Sequence, residues 1–584
     1  MRRALGWTAV ALTAAAVPLV TANTYYLYLA MTVAIFVVVT CGLNVLAGLN
    51  GQISLGHAGL YAIGAYTAAL GATRLGLGFW TALPLAVAVT AAVGAGLALT
   101  GLRLSGPYLA MVTIAFGIIV EGALVEWVAL TGGPGGIFDI PRPALGGTPL
   151  PLGRYYWIVT ATAALALLLT RNVAASAWGR AFVAVKDSEL AAESLGLSPY
   201  RVRTAAFTLS AAFAGAGGAL FAFLNGYLSP DSFTLQTSIL FLLIVLFGGL
   251  GTLAGPLVGA TALVLLPELI RQFLEYRLML YGVLLLLSVY FLPRGVVGAL
   301  ARRRDARPAA GDVSSFDAPL AREGAPGGEH ARDESVIVAL EGVTKAFGGL
   351  RAVADVTLRV RAATVHSVIG PNGAGKTTLV NLVAGFDTPD AARIALAGAQ
   401  IAGQAPSSIA RRGLVRTFQT PQLFEALSVL DNVRVGAVGH RLGSLAIALL
   451  GLRLDATAAD ARARAALAAV GLGEWTTTPA ADLPFGHRRR LEIARALAAG
   501  ARVFVLDEPA AGLAPAEVEA LDALLARLRA AGLTIVLIEH HVDLVMAISD
   551  RVTVLDEGRV IADGAPAAVQ RDPAVVAAYL GTSP

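Results

Sequence analysis

The sequence predicts two folds in one chain: an all-α, polytopic membrane domain, then an α/β P-loop NTPase domain. Three observations carry this. The first 300 residues are apolar and nearly uncharged, in segments long enough to cross about 30 Å of hydrocarbon. Residues 301 to 335 then lose both hydrophobicity and periodicity, and from Val336 strand-like and helix-like runs alternate around a glycine-rich loop. A composition of 56% hydrophobic and 14% charged residues, with mean hydropathy +0.70, excludes an ordinary soluble protein of 584 residues. The expected boundaries are 1–300 for the membrane domain, 301–335 for a disordered linker and 336–584 for the NTPase.

In the membrane domain, apolar segments recur near 7–22, 25–49, 52–72, 79–101, 106–130, 155–170, 204–225, 237–266 and 278–293. The first has the layout of a signal peptide but is read as an uncleaved span, because further apolar segments follow at once. Gly248-Gly249 and Gly251 to Pro256 interrupt the 237–266 segment, which suggests two short helices. The expected count is eight to ten spans. Arginines and a lysine gather at Arg2 and Arg3, in the 171–203 loop and at Arg302 to Arg304, which predicts an even number of spans with both ends cytoplasmic. Gly- and Ala-rich stretches such as AAFAGAGGAL at 211–220 permit close helix approach. His57, Glu121 and Glu126 are the ionisable groups inside apolar segments and default to functional candidates, with bundle-facing or membrane-edge placement equally open.

The net charge of +5 lies at membrane flanks and in the C-terminal half, with no basic stripe interleaved with aromatics, so nucleic acid is not an expected partner and membrane lipid is. Cys41 is the sole cysteine and sits in an apolar run, which excludes intrachain disulfides and thiolate clusters. As a flexible coil the linker would span roughly 30–35 Å.

In the C-terminal half, GPNGAGKT at 370–377 follows the apolar run Val365 to Ile369 and precedes Thr378 and Leu379. Gly370, Gly373 and Gly375 let the nucleotide-binding loop, which also holds Pro371, Asn372 and Ala374, bend so that its N–H groups face phosphate oxygens. Lys376 is then placed for the β- and γ-phosphates of ATP and the Thr377 hydroxyl for Mg²⁺, with Thr378 next in line. The chain has 44 basic residues, of which three are lysine, so a lysine at the position needing a compact ammonium is informative. Val503 to Leu506 read as a short strand ending in Asp507 and Glu508: Asp507 is placed to hold Mg²⁺ and Glu508 to orient or deprotonate the attacking water.

Further motifs make a family resemblance specific. RTFQ ending at Gln419, LPFGH followed by RRRLEIARAL at 483–497, and IEHHVDLVM at 538–546 resemble the Q-loop, signature helix and switch segment of ATP-binding-cassette (ABC) ATPases. By that resemblance Gln419 contacts the metal and the water, His540 contacts the γ-phosphate, Phe347 in KAFGG stacks on adenine, and Gly486 and His487 face the ATP of an opposite subunit. DPAVVAAYLG at 572–581 is similar to the tail of branched-chain amino-acid import ATPases. Two positions depart from the pattern. His541 stands where an Asp is usual, and His487 where the signature has Gln. A protonated His487 would add positive charge beside a γ-phosphate, which predicts rising activity from pH 8 to 6.5.

The membrane half resembles the permease of the branched-chain amino-acid importer family at 43–66, 104–117, 131–137 and 246–260. WGRAFVAVKDSELAAESLGLSPY at 178–200 resembles the cytoplasmic segment whose short helix docks on the ATPase, with Glu189 offset and Gly196 in place. The resemblance implies a fused permease–ATPase subunit of an importer in a bacterial plasma (inner) membrane, its ATPase cytoplasmic. The expected partners are a second permease subunit, a second ABC ATPase subunit and an external solute-binding protein. Branched-chain amino acids are the expected solutes, with urea, short amides or aromatic acids as the alternative. A homodimeric exporter is a further alternative, against which stands the lack of long charged helices between 22 and 300.

Overall fold

The computed structural model describes residues 18, 23–101, 107–269, 276–301, 335–452 and 456–580. The expected first span at 7–22, the flanking Arg2 and Arg3, Leu104 to Gly106, and the linker with Arg302 to Arg304 fall outside these, apart from Pro18, Ala301 and Ser335. The chain forms two compact units that interleave in sequence. One takes Met1–Phe182, Tyr200–Arg307 and Ser444–Leu452, the other Val183–Pro199, Pro308–Gly443 and Arg453–Pro584.

The first unit is helical: α1 (Thr24–Leu43), α2 (His57–Arg74), α3 (Phe79–Gly101), α4 (Pro107–Glu126), α5 (Leu152–Ala174), the start of α6 (Ala177–Asp187), and, beyond α7 (Glu189–Ser194), α8 (Pro199–Asn225), α9 (Leu235–Gly248), α10 (Gly255–Leu269) and α11 (Arg277–Phe291). A short hairpin, β1 (Ala144–Leu145) and β2 (Thr148–Pro149), precedes α5. Among the described residues six helices are long and apolar enough to cross a membrane, against the eight to ten spans expected, and the 237–266 segment is the anticipated pair of shorter helices. The 52–72 segment folds as α2, which is not one of the six. It is buried along most of its length by α3, α4 and α9, so its glycines, tyrosines and histidine meet protein rather than lipid. Backbone meets backbone there: a Cβ on Gly218 of α8 would lie 2.1 Å from the Tyr61 carbonyl O, and one on Gly64 would lie 2.5 Å from Gly215 Cα.

Two breaks interrupt the helices, and side chains from elsewhere satisfy their backbone. Between the π-helical turn Asn44–Leu49 and α2, the Leu55 N–H donates to Thr113 Oγ1 (3.1 Å) and the Ala58 N–H to Ser238 Oγ (2.9 Å). The His57 ring lies between Ser54 Oγ (2.8 Å) and Ser210 Oγ (2.7 Å). Between α9 and α10, the Asn44 amide donates to Thr252 O and accepts from the Gly251 N–H, each at 2.8 Å. Of the two acids, Glu126 ends α4 in an exposed position and Glu121 is half-buried.

The second unit holds two sheets. Strands β3 (Val336–Phe347), β4 (Leu350–Arg361), β6 (Ala391–Leu396) and β7 (Ala399–Gln400) form an antiparallel sheet in the order β4-β3-β6-β7. Strands β5 (Val365–Ile369), β8 (Leu414–Arg416), β9 (Val503–Asp507), β10 (Thr534–Ile538), β11 (Arg551–Asp556) and β12 (Arg559–Gly564) form the other, ordered β12-β11-β5-β10-β9-β8, parallel except for β12. β5 and β9 are buried at every residue, as strands covered on both faces must be. The helices used below are α12 (Lys376–Ala384), α13 (Pro406–Arg411), α14 (Leu445–Leu449), α15 (Phe485–Ala498) and α16 (Pro515–Ala530). By contact α14 belongs to the first unit and α7 to the second.

Candidate nucleotide site

The candidate residues sit just beyond the C-terminal ends of four neighbouring parallel strands, where open α/β sheets place their ligands. β5 runs into the loop Gly370 to Gly375, and α12 begins at Lys376. Gly370 (φ +153°) and Gly375 (φ +93°) have no room for a side chain: a Cβ would lie 2.1 Å from Leu555 O and 2.2 Å from Ala352 O. Gly373, at φ +84°, faces open space, and Asn372 and Thr377 are exposed beside it while Ala374 is buried. Lys376 is buried and folds back on its own loop, donating to Gly370 O (2.7 Å) and Pro371 O (2.9 Å). Burial lowers its pKa from the usual lysine value, while Glu508 and Asp507 raise it.

Asp507 ends β9 and is buried, paired with Arg416 at 2.9 Å. The Arg416 guanidinium lies 5.7 Å from the Phe386 ring centroid and 5.2 Å from that of Phe418, and it also bonds Asn381 Oδ1. Glu508 follows at φ +47°, a left-handed conformation costly for a non-glycine residue, and its N–H donates to Ile538 O at 2.9 Å. Its carboxylate is held on both sides: Gln419 Nε2 donates to Oε2 at 2.5 Å, and His540 Nε2 lies 2.5 Å from Oε1. Residues 89 and 32 positions away in sequence thus fix one carboxylate.

The structure therefore gathers Lys376, Gln419, Asp507, Glu508 and His540 around the strand ends, with Thr377 and Thr378 opening α12. Phe347 stands half-exposed at the end of β3, 5.3 Å from Lys345 Nζ. Gly486 and His487 open α15 among other partners. A Cβ on Gly486 would lie 2.1 Å from Glu517 Oε1, and His487 packs its ring 5.1 Å from that of Trp475. Burial lowers the His487 pKa below its ordinary value, Arg490 lowers it further and Glu517 opposes them. Burial and Arg490 thus run against the expectation of a His487 charging between pH 8 and 6.5, since both favour the neutral imidazole.

Sequence reading passed over a buried charge network on α15. Arg489, Glu492 and Arg495 recur at every third residue on one face, and all three are buried. Arg489 pairs with Glu492 at 3.0 Å and donates to Phe418 O and Gln419 O, each at 2.6 Å, and to Glu508 O at 3.3 Å. Glu492 Oε1 accepts from the Gln422 N–H (3.0 Å), and Arg495 donates to Gln422 O (2.6 Å). Burial raises the Glu492 pKa against the pull of both arginines, and burial brings Arg495 down to about 10. The charges at helical spacing inside RRRLEIARAL were the signal available in the sequence. Gln422 links this network to the 183–199 segment: Ser188 Oγ, the N-cap of α7, donates to Gln422 Oε1 at 3.1 Å. Asp187 Oδ2 accepts from the Ala426 N–H (2.8 Å), Gly196 O accepts from Arg411 (3.4 Å), and α7 packs on α13.

A phosphate-binding loop, an acidic strand end and a signature helix on this pair of sheets define an ABC ATPase, here in one chain with a helical, multi-pass membrane domain. Family models agree. Residues 25–289 match the branched-chain amino acid transport system permease component, 353–511 the ABC transporter model, and 559–583 the branched-chain amino acid ATP-binding cassette transporter. The permease protein LivM of Salmonella typhimurium is 41% identical over 287 residues, 45% of this chain and 68% of that one. The ATP-binding protein BraF of Pseudomonas aeruginosa is 42% identical over 249 residues, 42% of this chain and 98% of that one. A solved nucleotide-free ATP-binding cassette from an ABC transporter is 31% identical over 42% of this chain and 100% of its own, at TM-score 0.38. The chain belongs to the branched-chain amino acid ABC transporter family, with permease and ATPase components fused.

Proposed function

We propose that this chain drives ATP-dependent uptake of branched-chain amino acids across a bacterial inner membrane. It does so as a permease (1–300) joined by a linker (301–335) to a cytoplasmic ATPase (336–584). The observation that supports this best is Glu508, its two carboxylate oxygens bonded by Gln419 and His540, in one chain with the permease. An oriented carboxylate is suited to accept a proton from water as that water attacks a γ-phosphate. Lys376 would leave the loop carbonyls for the β/γ-phosphates, Asn372, Gly373 and their neighbours would offer N–H groups, and Phe347 would meet the adenine. Thr377, Gln419 and Asp507 offer hydroxyl, amide and carboxylate oxygens, a hard donor set that fits Mg²⁺, which when bound neutralises phosphate charge.

Gly486 and His487 act, in this reading, on the nucleotide of an opposite ATPase, so the working assembly includes a second ATPase subunit, a second permease subunit and an external solute-binding protein. Closure around ATP reaches the 183–199 segment through Gln422 and the α15 charges, and hydrolysis releases it. The test is uptake by the co-reconstituted assembly. Leucine, isoleucine and valine should accumulate with ATP inside the vesicle lumen that holds the ATPase, in preference to urea, short amides and aromatic acids. Glu508→Gln, which keeps shape and hydrogen bonding, should slow hydrolysis by roughly 10²–10⁴-fold while retaining ATP. Near-normal turnover by that variant would remove Glu508 from the role of base.

A further inference from the structure

The short helix α14 lies in sequence within the ATPase half yet folds with the membrane unit. It packs on α5, and Asn172 fixes the junction by donating from Nδ2 to Leu449 O at 2.8 Å. Gly451 (φ +73°) closes on the same side chain, where a Cβ would lie 3.0 Å from Asn172 Nδ2. From Ser444 to Leu452 the chain reads SLAIALLGL, without a charge. Leu450 and Leu452 are 68% and 58% exposed.

α5 supplies the depth. It is one of the six membrane-length helices, and its 23 residues rise about 34 Å, enough to cross the hydrocarbon and reach the headgroups. Trp157, Leu165 and Leu168 are exposed, and with Asn172 they fall within about 80° around the helix at 100° per residue. Trp157 and Arg171 near opposite ends of this stripe are residues of the kind that anchor a span at its two interfaces. Asn172 thus carries α14 where the lipid-facing stripe of α5 ends. A surface facing water there would be expected to carry charge. Instead the apolar stripe continues onto two exposed leucines.

We propose that Ser444–Leu452 is an interfacial foot, with Leu450 and Leu452 seated among the phospholipid acyl chains of the leaflet that borders Arg171. The ATPase sequence would in this way supply a lipid contact of its own. The inference rests on reading α5 as a span, and the experiment separates the two. In a Cys41→Ala background, single cysteines replace Leu450, Leu452, Leu168 on the α5 stripe, or Ala530 at the exposed end of α16. Nitroxide-labelled full chain in phosphatidylethanolamine–phosphatidylglycerol vesicles is then measured for collision with oxygen, which partitions into lipid, and with a water-soluble nickel chelate. The oxygen-to-nickel ratio at 450 and 452 should approach that at 168 and exceed that at 530 at least threefold. A ratio at 450 and 452 equal to that at 530 would overturn the foot while leaving the span intact. Suppression of both collisions at 450 and 452 would overturn it in favour of a protein cover. A water-like ratio at 168 would remove the span itself, and the foot with it.

Discussion

In the membrane unit the polar groups buried around α2 include hydroxyls, amides and the imidazole of His57, which lies between the hydroxyls of Ser54 and Ser210. In the ATPase unit the buried groups include ions: Asp507 against Arg416, and Glu492 between Arg489 and Arg495. The backbone contacts of α2 and of the 418–422 loop differ as well. Around α2 the backbone approaches directly through Gly64, Gly215 and Gly218, whereas around α15 long side chains hold the 418–422 carbonyls. Helices in lipid gain nothing from hydrophobic exclusion, so close contact and single hydrogen bonds must hold them. A domain folding in water has that drive to offset desolvating charge, and can use ions where a loop must be held in one position.

Removing an ion should therefore cost more than crowding a glycine. Glu492→Ala leaves Arg489 and Arg495 buried without their shared carboxylate, for a loss of about 3–5 kcal/mol of ATPase-unit stability. Denaturant unfolding of the full chain in detergent, followed by fluorescence, measures it. A loss below about 1 kcal/mol would mean that the arginines are satisfied by the loop carbonyls alone.

The next effect comes from an ATPase group buried as a neutral base. His366, the second residue of the central strand β5, lies beside Thr553 Oγ1 (2.8 Å), and burial lowers its pKa to about 4, with Asp563 raising and Arg551 lowering it. The unfolded imidazole titrates near 6.5, so above that pH neither state takes the proton and the group adds no pH dependence. Below it the unfolded chain binds a proton that the folded chain refuses. Stability then falls as pH drops from about 6.5 to 4, by on the order of 3 kcal/mol at the end of that window. His366→Asn, which keeps an amide donor for Thr553, should remove this component. Parallel pH–stability curves for the two proteins would show that His366 is not its source.

For the membrane side, Gly218→Ala places a methyl 2.1 Å from Tyr61 O and 2.7 Å from Ala65 N, both backbone atoms that cannot swing aside. A cost of about 1–3 kcal/mol is expected, below that of Glu492→Ala. Thermal inactivation in detergent would show it. An unchanged midpoint would mean that α2 and α8 can separate without penalty.

How far the sequence revealed these features follows the same physics. Phosphate loop, acidic strand end and the break between α9 and α10 were readable because glycine, lysine and paired acids have local reasons to stand at fixed spacing. The burial of α2 was not, since hydropathy scores what a helix would do in lipid and α2 meets protein instead. Nor was the place of Ser444–Leu452 in the membrane unit, since that stretch is too short to read as a span, whereas the packing of Val183–Pro199 with the ATPase was expected from its resemblance to the family's docking segment. In the candidate site the strand ends fixed where Lys376, Asp507 and Glu508 would lie. The partners of Glu508 come from Gln419 and His540, a contact that only the strand order β5-β10-β9-β8 produces.

The smallest effect is expected at His487, where an ATPase side chain behaves as a membrane one does, neutral and packed. It lies against Trp475, and burial together with Arg490 holds its pKa below the ordinary value, against the pull of Glu517. Both effects disfavour the proton that would place positive charge at the head of α15. His487→Gln should then leave the pH profile of ATP turnover parallel to that of the parent from about pH 6.5 to 8, with rates within about twofold, because each side chain offers at least one neutral donor. A parent profile that rises toward pH 6.5 and flattens in the variant would show that nucleotide binding raises the imidazole pKa, and that the signature end of α15 carries charge after all.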